Sequence, residues 1–382
     1  MIGLILLGVL VLAAAGWGVR VGYYLRKAKR LNAEADGLNA ETAVIRARTA
    51  QGEAAAAAEV VALGFVPGDE IDTANYMPIP AEHAAVLEAV RTGDWRAAAD
   101  WVLAAGQDWT ERHLRVGILG REAATDDAWL LAWCSARPGD PTAAVVTASA
   151  SVDLAWDLRG ALVATRTTRE QFDLFHQTLA RAQEAAHEAQ RLADPADPVP
   201  YIVELAIGRG LHYASDRFTA LWEEVVKRAP KVQAAWIQAQ QYWCAKWYGT
   251  HELAEEFGRE AVQRSRPGDL LSLILLRGYF ERENREGELE PDVYYKKPEI
   301  VAAADTALAD IAAAPDPDDF RVVRTRHMLA WILYWQDRYE ETVEQFRHID
   351  GYCGLEPWLY QRSAKATFLK TRDYSVRQVT RG

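Results

Sequence analysis

From Met1 to Val19 the chain carries no charged side chain, and Ile, Leu, Val and Ala fill most positions. A helix of that length, at about 1.5 Å per residue, nearly crosses a hydrocarbon layer of about 30 Å. Arg20, Arg26, Lys27, Lys29 and Arg30 follow with no acid among them, and Tyr23 and Tyr24 lie in the same flank. Basic residues beside a span stay on the cytoplasmic side, and aromatic residues mark the interface. Residues 1–25 therefore predict a single-pass anchor with a basic flank, leaving the large remainder in the cytoplasm. A cleaved signal peptide is the rival reading, because Ala13-Ala14-Ala15 resembles a cleavage site. A signal peptide, however, carries its charges ahead of the apolar run, and here they follow it.

The charge balance sharpens this division. The whole chain has a formal net charge of −11, yet its first thirty residues are purely basic. An acidic main body argues against nucleic acid, whose binding draws on a basic face. Three cysteines, Cys134, Cys244 and Cys353, make no disulfide framework and no zinc-type pair. Cys134 and Cys244 sit beside tryptophans and read as small buried apolar residues. The excess of arginine over lysine, with abundant alanine, suits a GC-rich bacterial genome, and the anchor then lies in the inner membrane.

Residues 26–62 are rich in Ala, Glu and Arg and lack proline, which favours a helical stalk. Leu31, Leu38 and Ile45 recur every seven residues, the spacing of a homo-oligomer seam. Glu34 and Glu41 interrupt that seam and Gly37 weakens the helix, so a solvated stalk is the stronger reading. Pro67, Gly68, Pro78 and Pro80 mark 63–80 as a linker.

From Ala81 onward helix follows helix, which predicts an all-α domain over 81–350 and a C-terminal helix and tail over 351–382. Asp140-Pro141, Asp197-Pro198 and Asp316-Pro317 each set an N-cap acid before a proline. Thr168 to Gln171 offers a capping box. Arg137-Pro138-Gly139-Asp140 and Arg266-Pro267-Gly268-Asp269 read as helix stops followed by starts. In 321–336, Val322, Leu329 and Ile332 form one apolar stripe and Met328, Trp331 and Trp335 another, so that helix needs cover on two sides. Gly93-Asp94-Trp95, Ser215-Asp216-Arg217-Phe218 and Gln336-Asp337-Arg338-Tyr339 repeat a turn before an aromatic residue, as between the two helices of a tetratricopeptide repeat. Phe218 to His251 matches the repeat period, whereas Trp95 to Phe218 does not. The pattern predicts an α-solenoid of degenerate hairpins, its longest insertion being Asn284–Lys297.

Two stretches go beyond generic repeats. One runs from Asp127-Ala128-Trp129 through Asp140 to Ala155-Trp156-Asp157-Leu158-Arg159-Gly160. The other is Lys246-Trp247-Tyr248-Gly249-Thr250-His251-Glu252, with Phe257 and Glu260-Ala261. Together, over about residues 120–265, they resemble an uncharacterised bacterial family of tetratricopeptide-like helical domains. The chain departs from that pattern at Tyr248 and at Cys244-Ala245. The resemblance implies a helical-repeat fold and brings no activity.

Catalytic patterns are weak. Glu184-x-x-His187 has the i,i+3 spacing of di-iron carboxylate bundles, and Asp173-x-x-His176 repeats it on the same predicted helix. The pairs are roughly 16 Å apart along the axis, too far to share one metal cluster. Phe172, Phe175, Leu179 and Ala182 are the expected buried stripe of that helix. Gly208-Arg209-Gly210 falls inside a predicted helix with no preceding strand, so it is no dinucleotide loop. Trp236, Trp243 and Trp247 are expected on one helical face, filling the interior between hairpins. Asp316–Asp319 reads as a cap rather than a calcium loop. No cofactor or catalytic residue is assigned. The expectation is a membrane-tethered, non-catalytic scaffold for a protein partner; the competing readings are a metal-dependent enzyme using Glu184 and His187, and a homo-oligomer through the stalk.

Overall fold

In the computed structural model the described residues are 54–160 and 168–381, with isolated positions between 27 and 52. The chain divides into two compact units, 1–67 and 68–382. In the first, residues 54–62 are helical, and Lys27 and Lys29 are helical and exposed. The expected span Met1–Val19, Arg20, Arg26 and Arg30 of its flank, and the seam residues Leu31, Leu38 and Ile45 lie outside the described residues. Among those that are described, no helix is long and apolar enough to cross a membrane.

The second unit is helical. Its α-helices are α1 (Ala81–Arg91), α2 (Trp95–Ala104), α3 (Trp109–Thr125), α4 (Ala128–Ala136), α5 (Pro141–Arg159), α6 (Arg169–Leu192), α7 (Val199–Gly210) and α8 (Ser215–Arg228). They continue with α9 (Gln233–Trp243), α10 (His251–Arg264), α11 (Ser272–Glu283), α12 (Pro291–Tyr294), α13 (Pro298–Ala312), α14 (Phe320–Trp335), α15 (Tyr339–Ile349) and α16 (Ala364–Arg381). Most neighbours in sequence pack together, and so do α3, α5, α7, α9, α11 and α14 in succession. These six form one row, and α6, α8, α10, α13 and α15 pack alongside it.

Local chemistry sets the helix ends. Asp140 accepts from Thr142 N and Ala143 N with Pro141 at the first helical position. Thr168 and Gln171 close a capping box at the start of α6. Asp94 and Thr250 cap α2 and α10. Asp316 departs from expectation: it accepts from Asp318 N in a turn, and Asp319 is the cap, taking Arg321 N at 2.8 Å. Asp269 likewise caps no helix. The buried Asp310 of α13 takes its place, accepting from Gly268 N, Leu270 N and Ser272 N.

The core of 81–210 centres on fully buried Trp133, Leu119, Phe175 and Leu179. Phe175, Leu179 and Ala182 are buried as their spacing predicts, and Phe172 is half-buried. In the next core, Trp236 packs edge-on to Trp222 at 4.8 Å and near Phe257 at 5.0 Å. The expected three-tryptophan helical face is shorter than predicted. Helix α9 ends at Trp243, and Trp247 lies in the turn that closes with Gly249 N on Cys244 O. Helix α14 is buried from Val322 to Leu333 except at the half-buried Arg324.

Residues 68–80, expected as a linker, are built into the second unit. Asp72 bridges Tyr352 in parallel, Cys353 N donates to Asp72 O at 2.8 Å, and Gly354 N donates to Asn75 O at 2.8 Å. A fully buried His327 holds the next residues: its Nε2 meets Tyr76 O at 2.9 Å, while Nδ1 accepts from Trp358 Nε1 at 2.9 Å. That arrangement requires the neutral Nε2–H tautomer. Burial keeps the ring neutral, lowering its pKa to about 4.

Candidate functional site

A cleft of about 990 Å³ opens between α1, α3, the start of α14 and the extended stretch 75–80. Asp108 caps α3 by accepting from Glu111 N at 3.0 Å. The helical register then sends Arg112 inward, where it donates to buried Asp197 at 2.8 Å, while His113 lines the cleft. Burial, reinforced by Arg324, lowers the His113 pKa to about 4. His83, packed edge-on to Trp101 at 5.0 Å, is also lowered, chiefly by burial. Both imidazoles are therefore neutral hydrogen-bonding groups at neutral pH.

Arg324 faces them from α14. Its guanidinium lies 5.6 Å from the Tyr76 ring and 6.0 Å from Phe320, and its buried Nε has no hydrogen-bond partner among the described residues. Leu87, Leu114, Ile118, Met77 and Ile79 supply apolar wall, and Asp108, Asp316 and Asp318 stand among the other lining residues. Such a mixture of apolar wall, neutral imidazole, the guanidiniums of Arg121, Arg321 and Arg324, and carboxylates suits a ligand with several kinds of side chain.

The stretches 127–160 and 246–261 meet elsewhere in this unit. Trp156 near the end of α5 lies edge-on to Trp247 at 5.7 Å. Arg209 of α7 sits 4.8 Å from the Trp156 ring and 5.4 Å from the Trp247 ring; Arg159 lies 5.6 and 5.7 Å from the same two rings. Tyr248 donates its hydroxyl to Arg209 O at 2.8 Å. Gly208 and Gly210 let α7 pack closely, since a Cβ at either would meet Tyr213 or the Phe175–Leu179 pair.

Glu184 and Asp173 are exposed on α6 beside His187 and His176. His187 pairs with Glu204 of α7 at 3.0 Å, and His176 lies edge-on to His212 at 5.8 Å. Glu204 also accepts from Gln190 at 2.6 Å and Tyr213 at 2.8 Å, and Gln183 bonds Tyr213. Among the described residues no three His, Cys, Asp or Glu side chains are placed to hold a metal ion. Cys244 and Cys353 are buried and Cys134 half-buried, all three free. Burial raises the Cys244 thiol to about 11, away from nucleophile chemistry.

Sequence reasoning passed over Tyr76, His113 and Arg324, which no local motif marks. Arg209 was visible only as the centre of Gly-Arg-Gly, and those flanking glycines were its one signal. No known family model, curated protein or solved structure matches the chain.

Proposed function

We propose that this chain is a membrane-tethered, non-catalytic scaffold that binds another protein. In this reading its helices are an α-solenoid of degenerate tetratricopeptide-like hairpins, resembling the bacterial helical family named above. Residues 1–25 anchor it in the inner membrane, with Arg20, Arg26, Lys27, Lys29 and Arg30 at the cytoplasmic face. The stacking of successive helix pairs and the uncharged N-terminal run support that reading. Its central observation is the 990 Å³ cleft, whose walls come from residues 75–87, 108–122 and 316–324. A cavity of that size takes several side chains of a partner segment, and a tether raises the local concentration of whatever binds there.

The test is purification of the tagged full-length protein from its native cell in mild detergent. A stoichiometric partner should be retained by the unaltered chain and lost with Leu87→Glu and Ile118→Glu. Retention by both variants would remove the cleft as the docking site. Protease added to sealed inside-out vesicles should digest the large domain; protection there would overturn the orientation.

A further inference from the structure

We propose that the Trp156–Arg209–Trp247 stack, completed by Arg159, is an anion-recognition site that takes the carboxylates of an acidic peptide segment. This rests on the scaffold reading and names the chemistry of its partner. Both guanidiniums lie over the same two indoles, within 4.8 to 5.7 Å of the ring centres. Aromatic faces hold cations but do not neutralise them. Among the described residues, neither Arg159 nor Arg209 has a carboxylate within 4 Å. Arg112 and Arg372, which are more deeply buried, each hold an aspartate, at 2.8 and 2.7 Å. Among the described residues Arg209 Nε is buried with no partner, and the side chain's hydrogen bond is a long 3.5 Å contact from Nη1 to Gln238. Burial lowers the Arg209 pKa to about 10, which leaves it cationic at neutral pH, and Arg159 acts in the same direction.

Two guanidiniums sharing one aromatic platform repel each other, and a desolvated charge without a counter-ion is costly. An incoming carboxylate relieves both penalties at once, through the paired N–H donors that guanidinium offers to planar oxyanions. Trp156, Arg159, Arg209 and Trp247 are all half-buried, so a ligand reaches them from solvent. The indole edges then cover the methylenes of Asp or Glu side chains. The site also stands out electrostatically: an acidic segment is repelled by a chain of net charge −11 and finds here a local cationic platform.

Fluorescence anisotropy of a labelled hexaglutamate peptide with the full-length protein in mild detergent tests the proposal. Binding should be saturable, weakened by salt, and reduced about tenfold by either Arg159→Gln or Arg209→Gln, the scale of one charge-assisted bond. Arg96→Gln, an exposed arginine 4.7 Å from the Trp95 ring, should leave it unchanged. If circular dichroism shows that Arg209→Gln does not fold, Arg159→Gln at the end of α5 decides alone. No binding, or binding insensitive to the arginine variants, overturns the proposal. Equal displacement by inorganic phosphate at the same molarity would reassign the site to a small oxyanion and overturn the peptide. A native partner that is retained by the arginine variants but lost with Leu87→Glu would sink this inference and spare the scaffold.

Discussion

Glu204 and Arg209 stand five residues apart on α7, about 140° around the helix axis from one another, and their surroundings treat them in opposite ways. Glu204 is buried and receives His187, Gln190 and Tyr213, with Arg217 at 3.8 Å. Arg209 has two indoles, a distant amide and another arginine. On one side of the helix a buried charge is saturated with partners from α6, α8 and the turn before α8. On the other a charge is held in place with no counter-ion among the described residues. Saturation is what a structural ion requires, and vacancy is what a recognition site retains at some cost to stability.

The largest expected effect comes from removing the saturated member. Glu204→Ala strands three donors and should lower unfolding free energy by about 3 kcal/mol, read as a drop in the urea midpoint. An unchanged midpoint would erase the contrast. A neutral buried group, His327, extends the comparison through pH. Its folded pKa near 4 lies below the 6.5 of an ordinary histidine, so the unfolded chain takes up the proton first. Its stabilising contribution is complete above pH 6.5 and declines as pH falls toward 4. Between pH 7 and pH 5 the stability gap between the unaltered chain and His327→Gln should narrow by about 2 kcal/mol. His113 titrates in both proteins and cancels from the difference. A constant gap in urea melts across that range would contradict the burial of a neutral ring.

Smaller effects probe the bare side of α7. Arg209→Met removes an uncompensated charge while keeping bulk, and should raise stability by about 1 kcal/mol. A loss of that size instead would mean the stack is a structural element. Tyr248→Phe deletes one exposed bond to the Arg209 carbonyl and should cost about 0.5 kcal/mol in thermal melts. A much larger loss would show that the turn after α9 governs the position of Arg209.

Much of the fold was legible because caps and stripes are local. Asp94, Asp140, Thr168 and Thr250 act within three residues of themselves, and Phe175, Leu179 and Ala182 announce the inner face of α6 by spacing alone. Residues 68–80 were misread because prolines exclude helix without revealing a partner, and that partner, 351–354, lies some 280 residues away. Asp316 and Asp319 looked alike as caps, and only the course of the backbone separates them. Trp247 lost its helical place to the turn at Cys244–Gly249. The sites were harder still. An unpaired arginine is defined by what fails to approach it, and no residue pattern encodes such an absence. His187 found its acid on α7 instead of at i−3, again a matter of tertiary placement.

The pairing of Asp72 with Tyr352 has a consequence for how the helical unit comes apart. Stacked helical hairpins ordinarily fray from their ends, because each contacts only its neighbours. Here the first extended residues are fastened across the last hairpin, so opening α15 and α16 means releasing 72–76 as well. Amide hydrogens at the two termini of this unit should therefore exchange together, at a free energy close to that of global unfolding. Contacts so distant along the chain close a long loop, whose entropy cost falls on the pairing of 72–75 with 351–354.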